Sequence, residues 1–349
     1  FNGDNKTITY NGTSGWSGLF TFIKRDYKIK VTIKNVTIDL GNGKINLGQG
    51  GIIGNSRFSP GDFADYNINI ENCKVENGKI AAYSGGIVGA NFCANSNSTG
   101  TITGCSNNCS FNGNRSGGIS GYGSSLYGKL KIKNCWNKAD ISTSRSGGIC
   151  GSDSGRNGQL EIINCWNEGS FASGNENGGI LGYNSGGNNA SSHVFIFNCY
   201  NNGDVGTTSG GICATSNSNG ERVMILNCYS TCQINDLNND SYSFGGIVAA
   251  SNSTFQPYVL YCDVYITGTY TVGKEPQIVT RNGYRTDNIP TVDDDELDLN
   301  SVGTMLTEKL HTQNFSFVSL KSLIDTLPYD YISPVWSAGD LTIPGFESS

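Results

Sequence analysis

Residues that dominate many active sites are rare in this chain. Its 349 residues include only two histidines, His193 and His311, and neither lies near a recognisable nucleophile motif. Catalytic triads and many metal centres depend on histidine. The sequence therefore gives little support to either kind of site, and we expect no metal ion and no other cofactor.

Charged residues and long apolar runs are also scarce. Only 15% of the residues are charged, the net charge is −6, and lysines and arginines do not cluster. Such a chain lacks the basic surface that binds nucleic acid or anionic lipid. No apolar run approaches the roughly 18 residues that a membrane-spanning helix needs. We therefore expect no nucleic-acid partner and no membrane insertion.

Glycine and repetition are abundant instead. The chain has 48 glycines and only 7 prolines, a composition that suits many short strands joined by tight turns. A fixed period of about 30 to 35 residues is typical of a solenoid, in which each repeat packs against its neighbours. The triplet Gly-Gly-Ile recurs with this period, and its isoleucines are Ile52, Ile87, Ile119, Ile149, Ile180, Ile212 and Ile247.

A cysteine, usually preceded by asparagine, keeps the same period. Segments such as Leu130-x-Ile132 precede it and alternate with period two, as half-buried strands do. Three short apolar segments per repeat predict an all-β, right-handed parallel β-helix of about seven or eight coils, with equivalent residues stacked about 4.8 Å apart. The periodic cysteines are Cys73, Cys105, Cys135, Cys165, Cys199, Cys228 and Cys262.

Asparagine and glycine mark the predicted corners. Ile132 and Cys135 are three residues apart and would face opposite sides of a straight strand, so the chain must bend between them. Asn134 lies at this bend, and asparagine tolerates the left-handed conformation that a corner requires. At the paired glycines we expect positive φ or close backbone approach. The other predicted corner residues are Asn72, Asn164, Asn198 and Asn227.

The repeat fades toward the C-terminus. We predict a β-helix domain over residues 1–272 and an irregular C-terminal cap, with a short helix, over residues 273–349. A cap is expected because the open strand edges of a solenoid pair readily with other chains.

Two segments of the repeat resemble a known family. Ser84-Gly85-Gly86-Ile87-Val88-Gly89 and Asn198-Cys199-Tyr200-Asn201-Asn202-Gly203 are similar to GLUG-type repeats, which couple a Gly-Leu/Ile-Val-Gly core to an Asn-Cys-Tyr-Asn-x-Gly segment. The resemblance covers roughly residues 1–270 and implies a β-helix. It also implies a secreted or cell-surface setting, since such repeats occur as passenger or stalk modules of adhesins and some bacterial peptidases. The last copy departs from the pattern at Tyr261-Cys262-Asp263.

The 12 cysteines allow more than one interpretation. Seven share the period, which indicates an inward stack of small buried thiols. An odd number cannot pair completely within itself, but Cys105 with Cys109, and Cys228 with Cys232, could bridge a corner. Close Cys-x2-Cys pairs are absent, so we expect no zinc site.

Aromatic residues follow the periodic cysteines on four successive coils. If the cysteines face inward, these rings face outward as a stripe that could take a sugar or another protein. The alternative is that they pack under loops or only stabilise the ladder. The four residues are Trp136, Trp166, Tyr200 and Tyr229.

Asn-x-Ser/Thr sequons are numerous, as in a secreted glycoprotein, although chance gives almost as many in so asparagine-rich a chain. The candidate acceptors include Asn11, Asn97, Asn189, Asn252 and Asn314.

Equivalent repeat positions do not bring together the carboxylates that a glycosidase needs, and a pair such as Asp153 and Arg156 indicates a solvated loop. We therefore expect a non-catalytic extracellular structural or adhesive β-solenoid, such as a stalk, surface-layer or filament subunit. The alternatives are a carbohydrate-binding module and a polysaccharide lyase or hydrolase on a β-helix. Expected partners are other protein subunits, including copies of this chain, or glycans, at a cell or particle surface.

Overall fold

The computed structural model describes residues 1–12, 14–21, 29–54, 66–171, 174–186, 192–206, 209–214, 223–226, 228–233, 247–249, 258–260 and 263–267. These ranges contain nineteen strands and no helix. The predicted cap over residues 273–349 lies outside them, as do Cys262, Asn189, Asn252 and Asn314.

All strand pairings are parallel and join equivalent segments of successive coils, which form two long ladders. The first ladder contains β3 (Ile29–Asp39), β6 (Tyr66–Glu71), β8 (Thr99–Thr103), β10 (Lys129–Lys133), β12 (Gln159–Ile163), β14 (His193–Phe197), β16 (Val223–Leu226) and β18 (Tyr258–Leu260). The long β3 also continues into the second ladder through Thr37–Asp39, and β1 (Asn2–Thr9) pairs mainly with this second part of β3. The second ladder contains β4 (Lys44–Ile45), β7 (Lys74–Ile80), β9 (Ser106–Phe111), β11 (Trp136–Asn137), β13 (Trp166–Asn167), β15 (Tyr200–Asn201), β17 (Tyr229–Gln233) and β19 (Asp263–Thr267). A separate pair joins β2 (Phe20–Thr21) to β5 (Ile53–Gly54).

The predicted parallel β-solenoid is confirmed by this topology. About five coils, over residues 66–214, carry all three faces in the part of the chain that the structure describes, fewer than the seven or eight predicted. Shorter stretches of the neighbouring coils pair with them at both ends.

The third face is bent rather than extended. There the Gly-Gly-Ile segments pair mainly through isolated bridges, such as Gly85 with Gly117. The carbonyl oxygen of Ile119 accepts hydrogen bonds from both Ile87 N and Val88 N, each at 3.0 Å. Two consecutive donors cannot share one acceptor in a regular ladder, so the chain turns at each isoleucine. The isoleucine itself points inward, and Ile87 and Ile119 are fully buried.

Inward residues form continuous apolar columns through the coils. Ile70, Ile102, Ile132 and Ile162 are fully buried at matching positions of the first ladder. Each fully buried isoleucine contributes about 1.5 to 3 kcal/mol relative to an exposed one. The solenoid therefore gains a core although only 36% of its residues are hydrophobic.

The corner prediction is confirmed at four asparagines. The φ angles of Asn72, Asn134, Asn164 and Asn198 lie between 51° and 54°. Gly104 takes the corner position on the remaining coil with φ 64°. The predicted corner Asn227 lies outside the described residues.

The paired glycines serve close backbone approach. A Cβ atom on Gly148 would lie 2.1 Å from the carbonyl oxygen of Gly179 on the next coil. No side chain fits at this distance, so the chain uses glycine where the third face brings two backbones together.

Candidate functional site

The periodic cysteines from Cys73 to Cys228 form an inward column, here named the cysteine ladder. The backbone N–H of each cysteine from Cys73 to Cys199 donates to the sulfur of the next coil, as from Cys105 N to Cys135 Sγ at 3.4 Å. The cysteines whose side chains the structure describes are all free and buried, so no disulfide joins Cys105 to Cys109. Burial raises the pKa of the Cys105 and Cys135 thiols in this ladder well above the ordinary value. A buried, protonated thiol is a poor nucleophile, so the ladder is structural.

A second interior column consists of asparagines two residues after the cysteines and is here named the asparagine ladder. All its members are fully buried. Asn107 Nδ2 donates to Asn137 Oδ1, Asn137 Nδ2 to Asn167 Oδ1, and Asn167 Nδ2 to Asn201 Oδ1, each at 2.7 Å. Each amide also donates to a backbone carbonyl two residues later, as from Asn137 Nδ2 to Ala139 O at 2.8 Å. The ladder thus ties four coils together from inside.

Sequence reasoning missed this ladder. Its signal was the spacing, because residues two apart in a strand face the same side and Asn137 is two residues from the inward Cys135. Asparagine is mostly exposed in proteins, and this preference concealed the signal.

The predicted aromatic residues stack on one outer face, and the three described rings are here named the aromatic stack: Trp136, Trp166 and Tyr200. The ring centroids of Trp136 and Trp166 lie 4.9 Å apart with an interplanar angle of 7°. Those of Trp166 and Tyr200 lie 5.9 Å apart, also at 7°. All three side chains are half-buried. Tyr229 pairs with Tyr200 through its backbone, and its side chain lies outside the described part.

Stacking determines which ring surfaces a ligand can reach. Within the stack each ring covers the face of its neighbour, so Trp166 presents only its edge to solvent. Trp136 differs, because the residue paired with it on the preceding coil is Ser106, whose hydroxyl is much smaller than an indole. Ser106 in turn pairs with Lys74, one coil further on, whose side chain is exposed. Among the described residues, no ring stacks on this face of Trp136.

A polar cluster, here named the arginine corner, combines residues from both ends of the Gly-Gly-Ile segments. Two of its arginines precede such a segment, and Asp153 follows one. Arg115 and Arg145 occupy the same position on successive coils, each with φ 63°, immediately before a Ser-Gly-Gly segment. Arg145 Nε donates to Glu176 Oε2 at 2.6 Å and its guanidinium lies 4.8 Å from the Tyr183 ring centroid. The other members of the corner are Tyr83, Tyr122, Asp153, Arg156 and Asn184.

Asp153 lies at the centre of this corner with only 4% of its surface exposed. Its carboxylate accepts hydrogen bonds from Asn184 Nδ2 at 2.6 Å and from Arg156 at 3.1 Å. Burial raises the pKa of Asp153, and hydrogen bonding to Asn184 together with the nearby Arg156 and Arg115 opposes that rise. The interpretation of Asp153 and Arg156 as a solvated loop pair is therefore wrong. The interaction partners come from different coils, which a linear inspection of charges does not bring together.

Two of the predicted glycosylation acceptors lie in the described ranges. Asn11 and Asn97 are exposed, as a modified asparagine would have to be. Over the described ranges, no three histidine, cysteine or acidic side chains lie close enough together to hold a metal ion. In the same ranges, no helix has the length and apolar character needed to cross a bilayer.

No family model, no curated protein and no solved structure matches this chain.

Proposed function

We propose that this chain is a non-catalytic structural or adhesive β-solenoid that works outside a cell or on a particle surface, as a stalk, surface layer or filament subunit. The observation that carries the proposal is the continuity of the coils. Hydrogen-bonded ladders run along the faces, and the asparagine ladder adds interior bonds between coils. A body joined in this way suits a spacer that holds its ends a fixed distance apart.

The pairing of the acidic side chains supports a role without catalysis. Glu161 lies 3.5 Å from Lys131, and Glu168 lies 3.2 Å from Lys138. Glu176 is bound by Arg145. A glycoside hydrolase needs two carboxylates directed at one sugar, whereas these carboxylates are directed at neighbouring cations.

The resemblance to GLUG-type repeats supports the same setting, since modules of that kind belong to secreted and surface proteins. We infer that the partners are other protein subunits, including copies of this chain, or glycans. The exposed sequons at Asn11 and Asn97 are compatible with passage through a secretory pathway.

Light scattering and negative-stain imaging of the purified chain test the proposal. We expect elongated particles that form ordered multimers or filaments. In parallel, the chain is incubated with polygalacturonate, alginate and chitin, and we expect no release of reducing ends or unsaturated sugars. Turnover of any of these polymers would overturn the proposal and favour a polysaccharide lyase or hydrolase.

A second candidate function, a carbohydrate-binding module, is favoured by the uncovered face of Trp136. A pyranose ring presents an apolar face of C–H groups that packs on an aromatic plane. We expect chitin hexasaccharide or cellohexaose to quench tryptophan fluorescence and Trp136→Ala to abolish the quenching. Trp166→Tyr keeps a ring inside the stack and should bind as wild type does. Equal binding by Trp136→Ala would exclude this face as the site.

A further inference from the structure

One guanidinium of the arginine corner is bound less completely than the others. Arg145 and Arg156 each donate to a carboxylate, at 2.6 Å and 3.1 Å. The nearest carboxylate oxygen to Arg115 is Asp153 Oδ2 at 3.7 Å, beyond hydrogen-bond distance. No other acceptor binds this guanidinium within the described ranges, and 29% of the Arg115 side chain is exposed.

Two tyrosine rings hold this guanidinium in place. Tyr83 and Tyr122 meet edge to face, with ring centroids 5.2 Å apart and an interplanar angle of 82°. The guanidinium carbon of Arg115 lies 5.9 Å from the Tyr83 centroid and 6.0 Å from the Tyr122 centroid. Contacts of this kind restrain a cation without using its N–H donors. The donors of Arg115 are therefore positioned but still available.

Charge in the corner favours an anionic ligand. Arg145 and Arg156 donate to the carboxylates of Glu176 and Asp153, whereas Arg115 donates to no carboxylate in the described ranges. Arg115 is therefore a partly exposed cation with free donors in a chain whose net charge is −6.

We propose that Arg115, with Tyr83 and Tyr122, binds the carboxylate of an acidic sugar of the uronate class. The planar guanidinium fork matches a carboxylate in a bidentate arrangement. A uronate carries its carboxylate next to an apolar ring face, so the ring lies against a half-buried tyrosine while the carboxylate reaches the fork. This site lies beside the third face and is separate from the aromatic stack on the second ladder. It does not depend on the role proposed above.

The test is isothermal titration of the purified chain with galacturonate trisaccharide, with the neutral galactose trisaccharide as the matched probe. We expect binding of the acidic sugar alone. Arg115→Gln should weaken it by about tenfold to a hundredfold, the usual effect of losing hydrogen bonds to a charged group. Lys138→Gln removes the same charge on another face and should leave the affinity unchanged.

Arg115→Lys separates fork recognition from simple charge, because it keeps the cation on a compact ammonium. We expect it to bind more weakly than wild type and to keep the wild-type circular dichroism spectrum. Three results would each overturn the proposal: no binding of the acidic trisaccharide, equal binding by Arg115→Gln, or equal affinity for the neutral sugar. Equal affinity for poly-glutamate would overturn the assignment to sugars and identify an acidic peptide as the ligand.

Discussion

Removing one member of the asparagine ladder should cost far more than removing a surface asparagine. Asn137 is fully buried, donates to Asn167 Oδ1 and Ala139 O, and accepts from Asn107 Nδ2. In Asn137→Ala, Asn167 Oδ1 and Ala139 O lose the bonds that Asn137 supplies, whereas Asn107 Nδ2 loses one acceptor and keeps its bond to Cys109 O. A buried polar group left without its partner costs about 1 to 3 kcal/mol, so we expect a loss of about 2 to 6 kcal/mol.

Guanidinium unfolding followed by circular dichroism measures this loss. The matched control is Asn108→Ala, because Asn108 directly follows Asn107 of the asparagine ladder but has an exposed side chain. The control should change the free energy of unfolding by no more than about 0.5 kcal/mol. A loss below about 1 kcal/mol for Asn137→Ala, or equal losses for the two variants, would refute the idea that the ladder stabilises the coils.

Asn137→Asp extends the same test to pH. A carboxylate at this buried position cannot donate to Asn167, and burial raises its folded-state pKa above that of the unfolded chain. A group shifted in this direction stabilises the fold at low pH, and that stability is lost as the pH rises through the window between the two pKa values. At neutral pH, Asn137→Asp should therefore have a lower free energy of unfolding than Asn137→Ala. Acidification should raise the free energy of unfolding of Asn137→Asp again. A pH-independent deficit would contradict this explanation.

Three further predictions concern the glycines, the thiols and Asp153. Gly148→Ala should lower the free energy of unfolding by about 3 kcal/mol, because its Cβ would meet Gly179 O, and an unchanged melting temperature would contradict the close approach. The buried cysteines of the native protein should react with a thiol reagent only after addition of denaturant. Rapid labelling of the native protein would contradict their burial. Because burial raises the pKa of Asp153 from its ordinary 3.8, wild type should lose stability relative to Asp153→Asn as the pH rises through the window just above that value. Thermal unfolding across this window checks the sign, and a gain in the relative stability of wild type would refute it.

The architecture was accessible from the sequence because inward positions repeat with a fixed period. Ile132 and Cys135 recur on every coil, and the bend required between them placed Asn134 at a corner, where its φ of 53° agrees. The third face was harder to predict. Its hydrogen bonds bend around Ile119, so an expected strand became a series of bridges.

The polar sites were harder to predict because they join residues from different coils. Asn184 and Asp153 are 31 residues apart and become neighbours only once the register is fixed. The matching positions of Arg115 and Arg145 before Ser-Gly-Gly would have shown that both lie at one corner. Their different partners, a carboxylate for Arg145 and two tyrosine rings for Arg115, depend on side-chain placement that periodicity does not contain.

The in-register pairing makes the length of the body adjustable in whole units. Thr99–Thr103 and Gln159–Ile163 both pair residue for residue with Lys129–Lys133, and corresponding residues of adjacent coils there are 30 positions apart. Deleting residues 129–158 would bring the outer two strands together with every inward position still aligned. Duplicating the same segment would lengthen the rod by about 4.8 Å. Recombination between coils could therefore change the reach of this protein without redesigning its core.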